Sequence, residues 1–504
     1  MIRPHRRAVI GGMGAALLAP TLARAAGTSL RDALDRAASE SPETALRTLA
    51  GFDERTLQGA DRLDLTAARA GLAIDATLLR DFGRRTPYRV APLVGAWKAA
   101  RPDAAAIDTD TAGLRSDAGA GIVLPLASLD LTIAALRTAR AAARPDNAAA
   151  IDRQVALLSS QRDTAPSQPG IGRLRDGAFW YTLLLNRAVG NGHTPASVEA
   201  RLLAELETQT ARAAALFARI GMTTGTVAER YSTLWRDERY LYPDSDAGRA
   251  SAVAAMNATL AAIRSRVPAL VGSVPAWTLD VTTRSLSPQE IAAGRQGYRQ
   301  APTPTKPGAY IVDLKDIRRR PRWTLPSVVA HELLPGHMIQ LGLEGVRPPH
   351  PLRIDYASSF PEGWGIYAEQ IATDAYPDPL SELGHVHWLL FRVSRALVDL
   401  GIHVRGWSLA EARTRFVAWM GEPGYFAPFD VELARIPVEP TTRLADAVAW
   451  LAIADGAGGK RGAALIAYCQ EILAGGRKRT EQIGILSAGQ RGHDNPRRTS
   501  RFIG

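Results

Sequence analysis

From residue 29 to about 163, apolar residues recur at steps of three and four, as at Leu65, Ala68, Leu72, Ala76 and Leu79. That period lines them along one stripe of an α-helix and cannot line one face of a strand. Long helical patterns return at 195–220 and 245–267, whereas strand-like segments are few, at 276–281 and 308–314. The chain is therefore expected to be mainly α, with a small β element. Proline- and glycine-rich breaks fall at 85–92 and 165–172. A chain of 504 residues exceeds the size at which one core usually keeps growing. The second break is the expected lobe boundary, giving an N-terminal helical lobe at 27–170 and a second lobe at 171–504. No fixed-period repeat is visible.

The first residues carry basic Arg3, Arg6 and Arg7, then an apolar run to Leu18, then Leu22-Ala-Arg-Ala-Ala26. This order predicts a cleaved export signal over 1–26 and a periplasmic or secreted protein. Arg6-Arg7 also resembles a twin-arginine signal. The apolar run is shorter than the roughly 20 residues of a membrane span, and no later segment is long and apolar enough to make one. The only cysteine is Cys469, so no internal disulfide can form. Net charge is +11, partly from the N-terminal arginines and from a basic C-terminal end that includes Lys460, Arg461, Arg477, Lys478 and Arg479. With no recognition motif beside it, that end is read as a solvated face, and no nucleic-acid partner is expected.

The most chemically informative stretch is Val328-Val-Ala-His331-Glu332-Leu-Leu-Pro335-Gly336-His337. Imidazole and carboxylate suit zinc, and a glutamate beside a ligand histidine can act as general base for hydrolysis. In His-Glu-x-x-His the histidines share a helix face, but His331 and His337 are six apart, about 120° out of register. Pro335 and Gly336 lie where a kink can re-aim the second histidine. A third ligand is offered downstream by Glu362 and Glu369, seven apart and so on one helix face. One can bind metal while the other braces the ligands; Glu362 is favoured because it opens its helix.

Further on, Arg395, Asp399 and His403 recur at four-residue steps on a helix otherwise apolar at Leu389, Leu390, Val393 and Leu397. The stripe reads either as a surface ion-pair row or as functional. In the functional reading Arg395, or Arg392 beside it, holds a substrate carboxylate, and His403 faces the oxyanion with Tyr367 as second choice. His385 and His387 are expected to be surface or packing residues.

These motifs resemble a bacterial family catalogued as domain of unknown function 885, related to the gluzincin metallopeptidases. His-Glu-x-x-Pro-Gly-His stands at His331 to His337, Glu-Gly-Trp-x-x-Tyr-x-Glu at Glu362 to Glu369, and an Arg-Leu-Val-x-Asp-x-Gly-x-His-like stretch begins at Arg395. A fainter match surrounds Trp180-Tyr181. The resemblance implies a predominantly helical fold with a deep cleft, His331, His337 and Glu362 as zinc ligands, and Glu332 as general base. The pattern departs beyond Trp407, where Ile436, Asp446 and Cys469 stand at positions expected to carry tyrosine, tyrosine and histidine.

The expected function is zinc-dependent hydrolysis of peptides, with Glu369 and Asp399 supporting the site. The alternative is a metal-retaining protein of the same fold that binds peptides without cutting them.

Overall fold

The computed structural model describes residues 29–424 and 427–483. The expected signal at 1–26 lies outside these residues. Helices α1 to α6 span Leu30–Ala37, Pro42–Leu49, Gly59–Phe82, Ala104–Gly119, Leu126–Ala141 and Pro145–Ser160. They are followed by α7 to α10 at Gly177–Val189, Pro195–Arg219, Val227–Arg236 and Asp246–Val271. Three strands, β1 (Val281–Ser285), β2 (Tyr298–Gln300) and β3 (Gly308–Val312), interleave with the short α11 (Pro288–Ala292). Then come α12 to α16 at Leu325–Glu332, His337–Val346, Pro351–Tyr356, Phe360–Ile371 and Pro379–His403. Finally α17 to α21 span Leu409–Met420, Phe429–Arg435, Thr442–Ala457, Gly462–Leu473 and Thr480–Ile483. The fold is mainly α, as the periodicity predicts.

Local chemistry sets the ends of these helices. Leu65, Ala68, Leu72 and Ala76 form the buried stripe of α3, which stops where Gly83 turns left-handed at φ 67°. Thr194 caps α8 by accepting from the Ser197 N–H, with Pro195 in the first turn; Asp378 and Pro379 do the same for α16.

The strand expected at 276–281 is mostly a 3-10 turn over Ala276–Leu279, and β1 begins only at Val281. The Thr278 hydroxyl donates to the Pro275 carbonyl, which closes the chain into a turn before it can extend. The strand at Gly308–Val312 is confirmed. It is central, parallel to β1 on one side and antiparallel to β2 on the other, and all five residues are buried. It is thus a buried sheet element with no free edge for a substrate backbone.

Helix α16 is the axis of the second half. It packs against α8, α12, α17 and α19, and 20 of its 25 residues are buried. The largest apolar cluster draws on residues from Ile74 to Ile483 and so takes side chains from both sides of residue 170. Part of the basic C-terminal end is not a solvated face. Lys478 and Arg479 are buried, the first donating to the carbonyls of Ile472, Ala474 and Gly476, the second to those of Arg187, Tyr356 and Asn186. Lys478 thus closes the end of α20, and Arg479 fastens the last turns to α7 and α14, because buried carbonyls need donors. Cys469 is buried and free. Among the described residues no helix is long and apolar enough to cross a membrane.

Candidate metal centre

Helix α12 ends at Glu332 and α13 begins at His337, so the kink expected at Pro335 is a full break between two helices. His331 Nε2 and His337 Nε2 are 3.1 Å apart. Glu362 Oε2 lies 3.2 Å from His331 Nε2, and Glu362 Oε1 lies 3.3 Å from His337 Nε2. A tetrahedral ion with bonds of about 2.0–2.2 Å has donor–donor edges of about 3.3–3.6 Å. The observed separations sit at or just under the short end of that range, so these residues can hold a metal ion with little adjustment.

The surroundings aim the ligands. Glu369 Oε1 lies 2.8 Å from His331 Nδ1, while its Oε2 accepts from Ser327 Oγ at 2.5 Å and lies 3.4 Å from His385 Nδ1. With Nδ1–H donated to Glu369, His331 turns its Nε2 to His337 and Glu362, and release of the Nε2 proton gives the tautomer a metal requires. The two glutamates therefore divide the roles their spacing left open: Glu362 reaches both histidines, and Glu369 reaches the back of one. Close packing explains the glycines around them. A Cβ at Gly365 would lie 2.6 Å from the His331 ring, and one at Gly363 would lie 2.7 Å from Ala449 on α19. Between them Trp364 donates from its indole to the Pro335 carbonyl at 3.1 Å, tying α15 to the break that positions His337.

Arg299, on the edge strand β2, was not foreseen. Its Nε donates to Glu332 Oε2, and its Nη2 lies 3.4 Å from Glu332 Oε1 and 3.3 Å from Glu362 Oε1. Burial pushes the Glu332 carboxyl up, but Arg299 and His331 outweigh it and hold it below the usual carboxylate range. Glu362 is held well below that range because the hydrogen bonds from His331 and His337 overcome its burial. Burial likewise opposes ionisation of Glu369 and is overcome, chiefly by Arg392 and His331. Burial lowers His331, yet Glu362 and Glu369 carry it up to about 9. His337 is lowered, mainly by burial. The result is an anionic seat around two imidazoles, which suits a cation.

A cavity of about 220 Å³ borders the cluster. His331, Glu332, Glu362 and Glu369 line it together with Tyr310, Arg320, Val328 and a row from α16: Trp388, Phe391, Arg392 and Arg395. Arg392 Nη2 is 3.2 Å from Glu369 Oε1; Arg395 is tied to Asp446 at 2.7 Å and to Glu432 at 3.4 Å.

Other expected site residues are not brought to this cavity. His403 is fully buried, its Nδ1 accepting from the Ile171 N–H at 3.2 Å and its Nε2 donating to the Ile436 carbonyl at 2.9 Å. Burial pushes it down to about 4, so it is neutral, and no N–H remains to face an oxyanion. Asp399 braces no ligand; it accepts from the Tyr181 hydroxyl at 2.6 Å and from the Thr441 N–H at 3.1 Å. The reason is helical drift. Each four-residue step along α16 turns about 40° and advances about 6 Å, so the stripe leaves the cavity after Arg395. Nor is the stripe a surface ion-pair row, since Asp399 and His403 are both buried. Tyr367 packs beside Trp364 and Tyr468 and does not line the cavity. His385 and His387 are buried, the first against Glu369, the second among Tyr231, Trp235 and Trp323. Ile436 and Cys469 are core residues, while Asp446 reaches Arg395.

No curated protein matches this chain. Among solved structures, a "putative lipoprotein" from Colwellia psychrerythraea shares the fold with a TM-score of 0.70 at 18% identity, over 92% of this chain and 91% of its own. A "putative lipoprotein of unknown function" from Shewanella oneidensis does so with a TM-score of 0.67 at 14% identity, over 91% and 92%. At such identities the likeness is one of fold. The family described as bacterial protein of unknown function (DUF885) matches residues 96–441, a span that holds His331, His337, Glu362 and the described lining of the cavity, and the chain belongs to that family.

Proposed function

We propose that this protein is an exported, gluzincin-like zinc peptidase with Glu332 as general base. One observation carries the reading: His331, His337 and Glu362 converge on one point beside an ionised glutamate and a cavity. Two histidines and a glutamate are a donor set used by catalytic zinc, with a fourth position left open. Zinc, when bound, supplies Lewis acidity to the scissile carbonyl and to water.

The chain's own residues do the rest. Glu332 takes the proton of the attacking water and returns it to the leaving amine. Arg299 keeps that carboxylate ionised, and its Nη1, which takes no part in the contacts to Glu332 and Glu362, replaces His403 and Tyr367 as the donor for the oxyanion. Glu369 fixes the His331 tautomer. The names of the two similar structures support export, together with the signal expected at 1–26.

Elemental analysis of the purified protein beside digestion of a mixed peptide library tests the reading. About one zinc per chain and cleavage abolished by Glu332→Gln are expected; a zinc-loaded parent that cuts nothing would sink it. The second reading, a metal-retaining peptide-binding protein, is favoured by one feature: Arg299 engages both oxygens of the intended base. Peptide capture without cleavage by the zinc-loaded parent decides for it.

A further inference from the structure

We infer that the cavity beside the metal centre is a recognition pocket for a carboxylate, so that the preferred substrates carry an anionic group on the residue next to the cleaved bond. This rests on the peptidase reading above and adds the class of substrate.

Trp388, Phe391, Arg392 and Arg395 stand at positions i, i+3, i+4 and i+7 of α16, which is one helix face, and all four line the cavity. That face carries two aromatic rings followed by two guanidinium groups. Arg395 lies over the Phe391 ring at 5.2 Å, a contact that holds the planar head in place. From the segment after β3, half-buried Arg320 adds a third guanidinium, and Tyr310 adds a phenol. Arginine is the side chain suited to planar, two-point binding of a carboxylate.

The acids in the lining do not remove the argument. Glu332 and Glu362 are engaged by Arg299 and the two histidines, and Glu369 by His331, His385, Ser327 and Arg392. Arg395 answers Asp446 and Glu432. Three arginines and three glutamates line the cavity, so a divalent ion on the ligand cluster tips the lining to a net positive charge. At about 220 Å³ the space is smaller than the roughly 300–1,000 Å³ of pockets for drug-sized ligands, and so admits a single residue.

A carboxylate can come from an acidic side chain or from the free C-terminus of the peptide, and the experiment separates them. Four N-acetylated alanine-based hexapeptides differ only in carrying an internal Glu or Gln and a free or amidated C-terminus. Their binding is measured by calorimetry on the zinc-loaded Glu332→Gln protein, which does not depend on turnover. At least one carboxylate-bearing peptide should bind about tenfold tighter than the neutral, amidated Gln peptide, as expected for charge-assisted bonds. Preference for the free terminus makes the enzyme a carboxypeptidase; preference for internal Glu makes it acid-selective. Adding Arg320→Gln should erase most of the preference with zinc content unchanged, and Arg320→Lys should restore part of it. Equal binding of all four, or a preference indifferent to Arg320→Gln, overturns the pocket. A carboxylate preference that depends on Arg320, in a parent protein that cleaves none of the four, keeps the pocket and overturns the peptidase reading.

Discussion

The candidate ligand cluster on α12, α13 and α15 and the far half of α16 use the same kinds of residue; the histidines are buried in both, and Glu362 is half-buried. They differ in where their hydrogen-bonding capacity goes. In α16, His403 has both ring nitrogens engaged by backbone groups, and Asp399 is held by Tyr181 and Thr441. Those partners come from other segments of the same chain, so the polar atoms there fasten the fold. In the cluster, two imidazole Nε2 atoms and a carboxylate face one another at 3.1–3.3 Å. Groups brought so close are held by a positive charge between them, a second proton on His331 or a metal ion in its place. Completeness of pairing within the chain, more than residue type, separates a structural polar group from a functional one.

Five substitutions test that contrast, taken from the largest expected effect. Glu332→Gln should lower peptide cleavage by at least about 10²–10⁴ while retaining zinc, and His337→Ala should lose the zinc itself. Metal content measured beside turnover separates the two, and loss of zinc from Glu332→Gln would move Glu332 into the ligand set. Glu369→Gln should weaken metal affinity about 10–100-fold, since His331 loses the group that orients it. Competition with a chelator reads this, and unchanged affinity would place Glu369 with the structural residues of α16.

His403→Ala should leave zinc affinity unchanged and destabilise the fold by about 2–4 kcal/mol, from two lost hydrogen bonds and a cavity. Denaturant unfolding measures it; a tenfold fall in kcat at full zinc content and unchanged stability would return His403 to the chemistry. The smallest effect concerns pH. Burial raises the Asp399 carboxyl from 3.8 to about 7, so the folded state favours its protonated form. As pH rises from 3.8 to about 7 the unfolded chain ionises first, and the parent loses stability across that window. Asp399→Asn should remove this share of the loss and gain on the parent over the same window; parallel stability curves would show that Asp399 is ionised in the fold.

The helices were legible because a 3.6-residue period is a local property, repeated along α3, α8 and α10. The gathering of His331, His337 and Glu362 was legible too, for a related reason. His331-Glu332 and Pro335-Gly336-His337 lie within one short segment, and Glu362 opens a recognisable helix. Tertiary structure alone could decide which polar residues stay with the cluster. Arg299 sits 33 residues before Glu332 on a three-residue strand, with no motif to announce it, and arrives through sheet pairing with Tyr310. On α16 the sequence offers Arg395 and Arg392 as partners for a carboxylate, but it does not join them to Trp388 and Phe391 as one cavity-facing row. Since α16 is packed on nearly every side, its own sequence cannot tell the cavity-facing side from the core-facing ones. Periodicity sets how side chains are arranged around a helix axis; the neighbours packed against the helix set which arrangement becomes a site.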